Sequence, residues 1–500
     1  MKKLFACIVA LLMLVPLMAA CEDTTETTTS EAVSGTVSGT TSNDAEVSLP
    51  EVEVKDMEGR EFNVLCWDWG AGSASILGYT GEIMYDEENP TAVDEAKKLV
   101  VDKIESEYNC TINGEKTNEV AFTTTIKNQV TSGLHYYDIV FDSISTSAAM
   151  VPDGILVDLN SVPNLDLSDP WWDQNAVKDL SIANKNNFAC GDINTYDDQG
   201  TWCMLFNKTL KTKLGIEEDF YQLVRDNKWT FDKFKEICKD NITSDTSGDG
   251  VLDENDTWAF GTERYNIYVH VLAAGQKISG KDDDDLPFLT VVEEPQATYT
   301  ILADILEFYN DEQTVMVANT PKYESKGFAN VWEATVHKAF IEGRELFYMC
   351  GLINSASFRV MEDEFGILPI PKYYDTQDRY YHTVSVGNAS CMSIPEGTTN
   401  IDQVGLIISA IARESKILVT PAYYDVQLKY RDSRDDESGE MLDLIFATRT
   451  FDIANAYNWG GIREQYTSMS ASDIASRFER ITSTAELAMD NFVEKVTEKE

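Results

Sequence analysis

Apolar strand-like segments alternate with helical segments along the chain, and this order restricts the possible folds more than any other feature. FNVLCW (62–67) and YYDIVF (136–141) are short, apolar and typical of buried strands. TAVDEAKKLVVDKIESEY (91–108) has apolar residues at helical spacing, and WTFDKFKEICKD (229–240) predicts a helix with Thr230 as its N-cap. This alternation favours layered α/β lobes.

The start of the chain has the pattern of a bacterial export signal. Lys2 and Lys3 precede an apolar stretch (4–20), and small residues stand just before Cys21. The pattern predicts a signal peptide over 1–20 and a mature chain that begins at a lipid-modified Cys21. An uncleaved anchor helix is the alternative interpretation.

The segment that follows predicts a flexible tether. Residues 22–50 contain mostly Thr, Ser, Gly and acidic side chains, which bury too little apolar surface to offset the entropy of ordering. We therefore predict a lipid-anchored tether over 21–57 and a protein that works on the extracytoplasmic face of the bacterial cell membrane. The rest of the chain is too long for one hydrophobic core, so two lobes are expected.

Charge and cysteine content exclude several classes of protein. The chain has 85 acidic and 40 basic residues, a net charge of −45, which makes nucleic acid a poor partner. An odd number of cysteines without a CxxC pair argues against a disulfide framework and against a zinc ribbon. Buried free thiols are the prediction for the cysteines beyond Cys21, namely Cys66, Cys110, Cys190, Cys203, Cys238, Cys350 and Cys391.

The loop DTSGDGVLDEND (245–256) has the layout of an EF-hand-type calcium loop. Ser247 replaces the usual carboxylate or amide, and Asp256 replaces the bidentate glutamate. Because the loop is single, we predict a structural Ca²⁺ and not a calcium sensor; an acidic Gly-rich turn is the alternative. The predicted ligands are Asp245, Ser247, Asp249, Val251 through its carbonyl, Asp253 and Asp256.

An ordered series of segments connects the chain with a known family. The segments are YYDIVFDS (136–143), GILVDLNSVPNLDLSDPWWDQ (154–174), GTWCMLFNKTLKTKLGI (200–216), KWTFDKFKEI (228–237), AFIEGRELFYMCGL (339–352), FGILPIPKYYDTQDRYYHTV (365–384) and NWGG (458–461). Their order and spacing resemble the family 1 extracellular solute-binding lipoproteins of bacterial ABC importers, which include the maltose-binding proteins. The resemblance covers most of residues 60–460.

The resemblance implies a two-lobed periplasmic-binding-protein-like fold of type II, with α/β lobes joined by a multi-crossing hinge. The implied crossings are TWCMLFN (201–207) and YYHTVSVGN (380–388). The implied lobe bounds are 58–198 plus 385–415 for lobe 1, and 199–384 plus 416–500, with the calcium-type loop, for lobe 2.

The same resemblance implies a function. A monomer of this family captures a small-molecule solute, here predicted to be a carbohydrate, between its lobes and delivers it to the transmembrane subunits of an ABC permease. Aromatic residues and carboxylate or amide groups at the implied cleft are the predicted sugar ligands. They are Trp67, Asp68, Trp69, Asp142, Ser143, Trp171, Trp172, Asp192, Tyr196, Asn354, Tyr457 and Trp459.

Three other functions remain open at this point. A surface glycoside hydrolase would use two carboxylates, and among 85 acidic residues a pair is always available by chance. However, no nucleophile elbow, P-loop or dinucleotide fingerprint is present, so we predict that the chain is not an enzyme. A binding protein for a non-sugar solute such as a peptide is a second alternative. An adhesin is a third, although the repeats expected of one are missing.

Overall fold

The computed structural model describes residues 49–68, 82–239, 242–424 and 436–497. The predicted signal peptide, the lipid attachment at Cys21 and most of the predicted tether lie outside these described residues. Leu49–Glu500 forms one compact unit. No helix in the described ranges is both long and apolar enough to cross a membrane.

The strands are short and are distributed along most of the chain of this unit. They are β1 (Arg60–Trp67), β2 (Cys110–Thr117), β3 (Ile139–Ser143), β4 (Trp202–Asn207), β5 (Trp258–Thr262), β6 (Ser279–Lys281), β7 (Pro287–Leu289), β8 (Val315–Val317), β9 (Glu345–Gly351), β10 (Phe365–Leu368), β11 (His382–Thr383), β12 (Ser390–Ser393) and β13 (Arg449–Thr450).

Helices fill most of the intervals between strands. They are α1 (Ala92–Tyr108), α2 (Glu119–Ser132), α3 (Ile144–Met150), α4 (Gln174–Leu180), α5 (Tyr196–Gln199), α6 (Lys208–Lys213), α7 (Phe220–Arg225), α8 (Phe231–Cys238), α9 (Asn266–Ala273), α10 (Thr290–Glu293), α11 (Pro295–Tyr309), α12 (Pro321–Glu324), α13 (Lys338–Ile341), α14 (Ile401–Pro421), α15 (Asp436–Ala447), α16 (Ile453–Tyr457), α17 (Ile462–Ser468) and α18 (Ile474–Thr497). Short 3₁₀ segments occupy Val151–Asp153, Leu159–Ser161, Leu352–Val360 and Trp459–Gly461, and a π turn occupies Glu333–His337.

Two larger mixed sheets organise the unit. The first has the strand order β12-β3-β1-β2, in which β1 is parallel to β2 and β3, and β12 is antiparallel to β3. The second has the order β10-β4-β9-β5-β8, in which β9, β5 and β8 are parallel and β4 is antiparallel to β9. These sheets with their helices confirm the predicted α/β class. Because β12 follows β10 in the chain but joins the first sheet, the chain passes between the sheets more than once.

Two of the connecting segments lie side by side. Thr201 forms an antiparallel bridge with Val384, and the Ser385 backbone N–H donates to the Gly200 carbonyl at 2.9 Å. The segment after β11 is also tied to the start of α3, because the Ser145 N–H donates to the Val386 carbonyl at 2.9 Å. The residue bounds of the two lobes stay a prediction.

Interactions between residues close in sequence explain where most of the predicted helices and strands begin. Thr91 caps α1 in a reciprocal capping box with Asp94, and the Thr230 hydroxyl accepts the Lys233 N–H at 3.2 Å, as predicted for α8. The strand predicted from residue 136 instead begins at Ile139. The backbone N–H groups of residues 136 and 137 donate to the Gln129 side chain, so they do not enter the sheet. The seven cysteines named above are buried free thiols, as predicted.

Glu345, the first residue of β9, is fully buried, and neither carboxyl oxygen has a hydrogen-bond partner among the described residues. Burial raises the pKa of this carboxyl well above its usual value, and Arg344 lowers it only in part. Because the pKa is higher in the folded state than in the unfolded state, the free energy of unfolding falls as the pH rises above the pKa of an unfolded glutamate. Glu345→Met should therefore raise the free energy of unfolding by about 1–3 kcal/mol at pH 7.5.

The gain should shrink on acidification towards pH 4, where the unfolded state is also protonated. Urea unfolding at both pH values checks this prediction. An equal gain at both would show that the carboxyl is not held neutral by burial.

Candidate ligand-binding site

A cavity of about 550 Å³ lies at one edge of the second sheet. The parallel strands β5, β8 and β9 end at this edge, which brings Glu263, Asn319 and Gly351 into its wall. Because β4 is antiparallel to β9, Trp202 at its start reaches the same edge. Carboxyl ends of parallel strands are the usual ligand sites of open α/β sheets, and the volume is in the usual range for small-molecule pockets.

Aromatic rings form the apolar part of the wall. The rings of Trp202 and Tyr265 have centroids 5.6 Å apart with planes inclined by 34°. Trp332 also lines the cavity, and its Nε1–H donates to the Tyr348 hydroxyl at 2.8 Å, which fixes the indole orientation. Ring faces of this kind are suited to the apolar C–H faces of a sugar ring.

Two carboxyl groups in the same wall have different environments. Glu263 accepts a hydrogen bond from the Asn319 side chain at 2.9 Å, but burial outweighs this bond and raises its pKa to about 7. Burial also acts on Glu464, yet its pKa is lowered overall, because Asn458 and Arg463 each donate to its Oε1 at 3.0 Å. The cavity thus has one carboxyl that is easily protonated and one that stays ionised near neutral pH.

Asn354 is the one predicted ligand residue that lines this cavity within the described structure. Its Nδ2 donates to the Gly351 carbonyl at 3.1 Å, and its Oδ1 has no hydrogen-bond partner among the described residues. The connecting segment 385–388 and the α17 residues Arg463 and Thr467 complete much of the wall. The cavity therefore lies at the point where the chain leaves the second sheet to return to the first sheet.

The predicted residues near the first sheet lie elsewhere. Trp67 ends β1 half-buried and Asp68 follows it, whereas Trp69 lies outside the described residues. Asp142 is fully buried, and its Oδ1 accepts the N–H of Ser143 at 2.6 Å. Ser143 is itself the N-cap of α3. Contact of these residues with a ligand stays a prediction.

The remaining predicted residues have contacts within the protein. Trp171 and Trp172 are buried in the hydrophobic core. Asp192 forms an ion pair with Lys416 at 2.9 Å, and Tyr196 is buried at the start of α5. These side chains do not line the cavity described above.

The last two predicted residues pack against each other near the end of the chain. The rings of Tyr457 and Trp459 stack with centroids 5.5 Å apart and planes inclined by 11°. Both also contact Phe492 of α18. Their ring faces are therefore used within the protein in this structure.

Most residues of the cavity wall were not predicted from the sequence. The missed residues that matter most are Trp202, Glu263, Tyr265, Asn319 and Trp332. Glu263 and Asn319 directly follow or nearly follow buried strands, and polar residues in that position were an available signal. Trp332 follows no strand and carried no such signal.

The calcium-type loop closes on its own backbone. The Asp245 carboxylate accepts the N–H groups of Gly248 and Gly250 at 2.6 and 2.7 Å, which lowers its pKa. The Asp256 carboxylate accepts two further N–H groups of the loop, and Lys326 forms an ion pair with Asp253 at 2.9 Å. The described residues contain no group of three or more His, Cys, Asp or Glu side chains arranged for a metal ion. The donor types suit calcium, but the carboxylates would have to turn towards it.

A buried charge cluster lies beside the second connecting segment. Arg449 of β13, which pairs with β11, is 2.8 Å from Asp173, 3.6 Å from Asp197 and 2.5 Å from Asp198. Burial raises the pKa of Asp197 well above its usual value, and it raises that of Asp198 to about 6 although Arg449 lowers both. One guanidinium thus compensates several buried carboxyl groups.

Comparison with solved structures gives proteins with a similar fold. A sugar transporter from Rhizobium etli in an open conformation has a TM-score of 0.52 and 13% identity, over 88% of this chain and 100% of that chain. An ABC substrate-binding protein from Listeria monocytogenes in complex with cycloalternan has a TM-score of 0.52 and 13% identity, over 88% and 98%. The fold is that of the maltose-binding-protein-like solute-binding proteins. MalE from Listeria monocytogenes in complex with maltose, with a TM-score of 0.51 and 13% identity over 89% and 99%, agrees with this.

Neither the comparison with protein-family models nor that with curated proteins gives a match. The solute-binding-protein fold confirms the predicted two-lobed, type II architecture. The cavity described above borders both Gly200 and the segment 385–388, which lie side by side where the chain passes between the two sheets.

Proposed function

We propose that this chain is the extracytoplasmic solute-binding lipoprotein of an ABC importer and that it captures a mono- or oligosaccharide between its lobes. The observation that carries the proposal is the cavity at the edge of the second sheet, where Trp202, Tyr265 and Trp332 stand beside carboxyl and amide groups. Rings suit the C–H faces of sugars, and the polar groups suit their hydroxyls. The solute-binding-protein fold, seen in proteins bound to cycloalternan and maltose, supports it.

Capture would proceed by closure of the lobes about the hinge. In the open form a sugar stacks on the rings, while Glu263, Asn319 and Asn354 exchange hydrogen bonds with its hydroxyls. Closure becomes favourable only if the sugar also contacts the first lobe, because a ligand shifts an equilibrium by its differential affinity for the two states. The closed monomer then delivers its sugar to the transmembrane subunits of the permease.

The proposed place of action is the outer face of the cell membrane. A lipid on Cys21 would anchor the chain, and the Ser/Thr-rich segment after it would let the lobes reach the permease. Globomycin, which blocks cleavage of lipoprotein signal peptides, should leave a longer precursor in producing cells. Secretion of a chain that lacks lipid would contradict the anchor.

A glycoside hydrolase is the second candidate, and one observation favours it. Glu263 and Glu464 line the same cavity, and their environments move their pKa values apart. Such a pair is what an acid and a nucleophile or base require. The fold neighbours named above are binding proteins, so we propose binding without turnover.

A thermal-shift screen against mono- and oligosaccharides tests the proposal. A ligand that binds only the folded state raises the melting temperature by mass action, by an amount that grows with its concentration above Kd. We expect a rise with a particular sugar and no release of product from the matching chromogenic glycoside. Turnover would favour the hydrolase. A rise in melting temperature with peptides alone would agree with the fold but would contradict a sugar ligand.

We also propose that the loop 245–256 binds a structural calcium ion. Calcium should raise the melting temperature relative to a chelator, with or without sugar, because it would bind only the folded loop. Asp249→Asn should reduce this rise, because it removes a charge while its amide oxygen still accepts the Val251 N–H. Equal melting temperatures of the natural chain in calcium and in chelator would contradict the site.

A further inference from the structure

Two buried thiols face each other across neighbouring strands. Cys203 of β4 and Cys350 of β9 are direct partners in the antiparallel register, flanked by the pairs Trp202 with Gly351 and Met204 with Met349. Both cysteines are free and buried, and their thiols are within hydrogen-bonding reach of each other. The register alone brings these two side chains to the same face of the sheet.

The geometry of the pair suits a disulfide. Directly opposed residues of an antiparallel pair have Cα atoms about 4.5–5.5 Å apart. A disulfide spans Cα separations of about 4.4–6.8 Å, so the Cα spacing of such a pair permits the bond. The other described strand cysteines lack such a partner: Cys66, Cys110 and Cys391 stand opposite Lys116, Arg60 and Asp142.

One member of the pair borders the ligand cavity. Cys350 is one of the residues that line the cavity, beside Gly351 and Trp202. Burial and the bond to Cys203 raise the pKa of the Cys350 thiol well above its usual value. The thiolate is the attacking species, so exchange from the folded state should be slow.

We propose that Cys203 and Cys350 form a redox pair in the wall of the ligand cavity, which a small-molecule disulfide converts to an intramolecular disulfide. One cysteine thiolate attacks the small disulfide and releases one of its halves as a thiol. The second cysteine then displaces the other half, so the small disulfide gains two electrons and two protons, and the protein gains one S–S bond. The supply of that oxidant rests on the proposed extracytoplasmic location, whereas the pairing rests on the strand register.

The disulfide would join β4 to β9 at the edge that holds the cavity. It would close a long loop of chain, which restricts the unfolded state and raises the melting temperature. It would also fix the separation of the strands that carry Trp202 and Gly351. Oxidation would thus stiffen one wall of the site.

Peptide mapping of the purified chain tests the proposal. The chain is unfolded and refolded in a mixture of reduced and oxidised glutathione, so that slow access to the buried pair does not limit the reaction. Remaining thiols are alkylated in denaturant, and the digest is analysed without reductant. We expect a peptide that links Cys203 to Cys350, and a melting temperature that falls when dithiothreitol is added.

Variants complete the test. Cys350→Ser and Cys203→Ala should each lose the linked peptide and the response to dithiothreitol, whereas Cys238→Ser, in which a buried helical thiol is removed, should keep both. Alkylation of both Cys203 and Cys350 after oxidative refolding, or a bond from either to another cysteine, would overturn the proposal. Formation of the linked peptide in a chain that binds no sugar would refute the proposed function and leave the redox pair intact.

Discussion

Arg449→Met is expected to lower the free energy of unfolding by about 3–5 kcal/mol at pH 7.5, because removing one partner of a buried ion pair leaves uncompensated charge. The guanidinium is the cation within ion-pair distance of Asp173, Asp197 and Asp198. Without it, those carboxyl groups must be protonated or exposed. Urea unfolding followed by circular dichroism measures the loss.

The pH dependence of this loss separates charge from packing. Burial raises the pKa of Asp198 to about 6 and raises that of Asp197 well above its usual value, so the folded state holds protons that the unfolded state releases. The stability that Asp198 contributes is therefore fully present below the pKa of an unfolded aspartate and is lost as the pH rises through about 6, and the contribution of Asp197 is likewise lost as the pH rises. Removal of Arg449 raises both pKa values further, so the variant should recover much of its loss at pH 5.

The matched control is Arg225→Met. Arg225 forms ion pairs with Glu437 and Glu440 on the surface, where solvent screens them, so a much smaller loss is expected. A loss for Arg449→Met that is the same at pH 5 and pH 7.5 would show that the side chain acts by packing alone. The cluster would then make no electrostatic contribution to stability.

Trp332→Ala should weaken binding of the best sugar about 30-fold or more, because truncation of an aromatic anchor in a binding site costs about 2 kcal/mol or more. Trp332 is half-buried directly before the π turn Glu333–His337 and not in a strand, so the folded state should survive the change. Its indole lines the cavity and is held by the Tyr348 hydroxyl. Isothermal titration calorimetry measures the affinity.

Tyr374→Ala is the control, because Tyr374 is an exposed aromatic residue that does not line the cavity. Its affinity for the sugar should equal that of the natural chain. Glu263→Gln, which keeps an acceptor for Asn319 but removes the titrating proton, should make affinity less dependent on pH near 7. Unchanged affinity in Trp332→Ala would show that the sugar does not bind in this cavity.

Elements that depend on local sequence were predictable. Thr230 caps α8 as predicted, and Thr91, which stands in the same position before an apolar periodic segment, caps α1. The full strand order of the first sheet could not be predicted from local sequence, because β12 pairs with β3 from a position far along the chain. Only the family resemblance supplied the return of the chain to the first lobe.

The site was less predictable, because its wall is assembled from the ends of several strands. Aromatic residues attract attention in a sequence, yet Trp171 is core and Tyr457 stacks on Trp459. Asp192 likewise has a cationic partner in Lys416, which is distant in sequence. No feature of the neighbouring sequence distinguishes these residues from Glu263, a cavity residue whose pKa depends on burial.

Small-angle X-ray scattering during titration with the best sugar tests the central claim most directly. If the chain captures a sugar between its lobes, the radius of gyration should fall in proportion to the occupied fraction, and Trp332→Ala should require a correspondingly higher sugar concentration. The calorimetric affinity fixes that fraction independently. Saturation of binding without any change in the scattering curve would contradict capture by lobe closure.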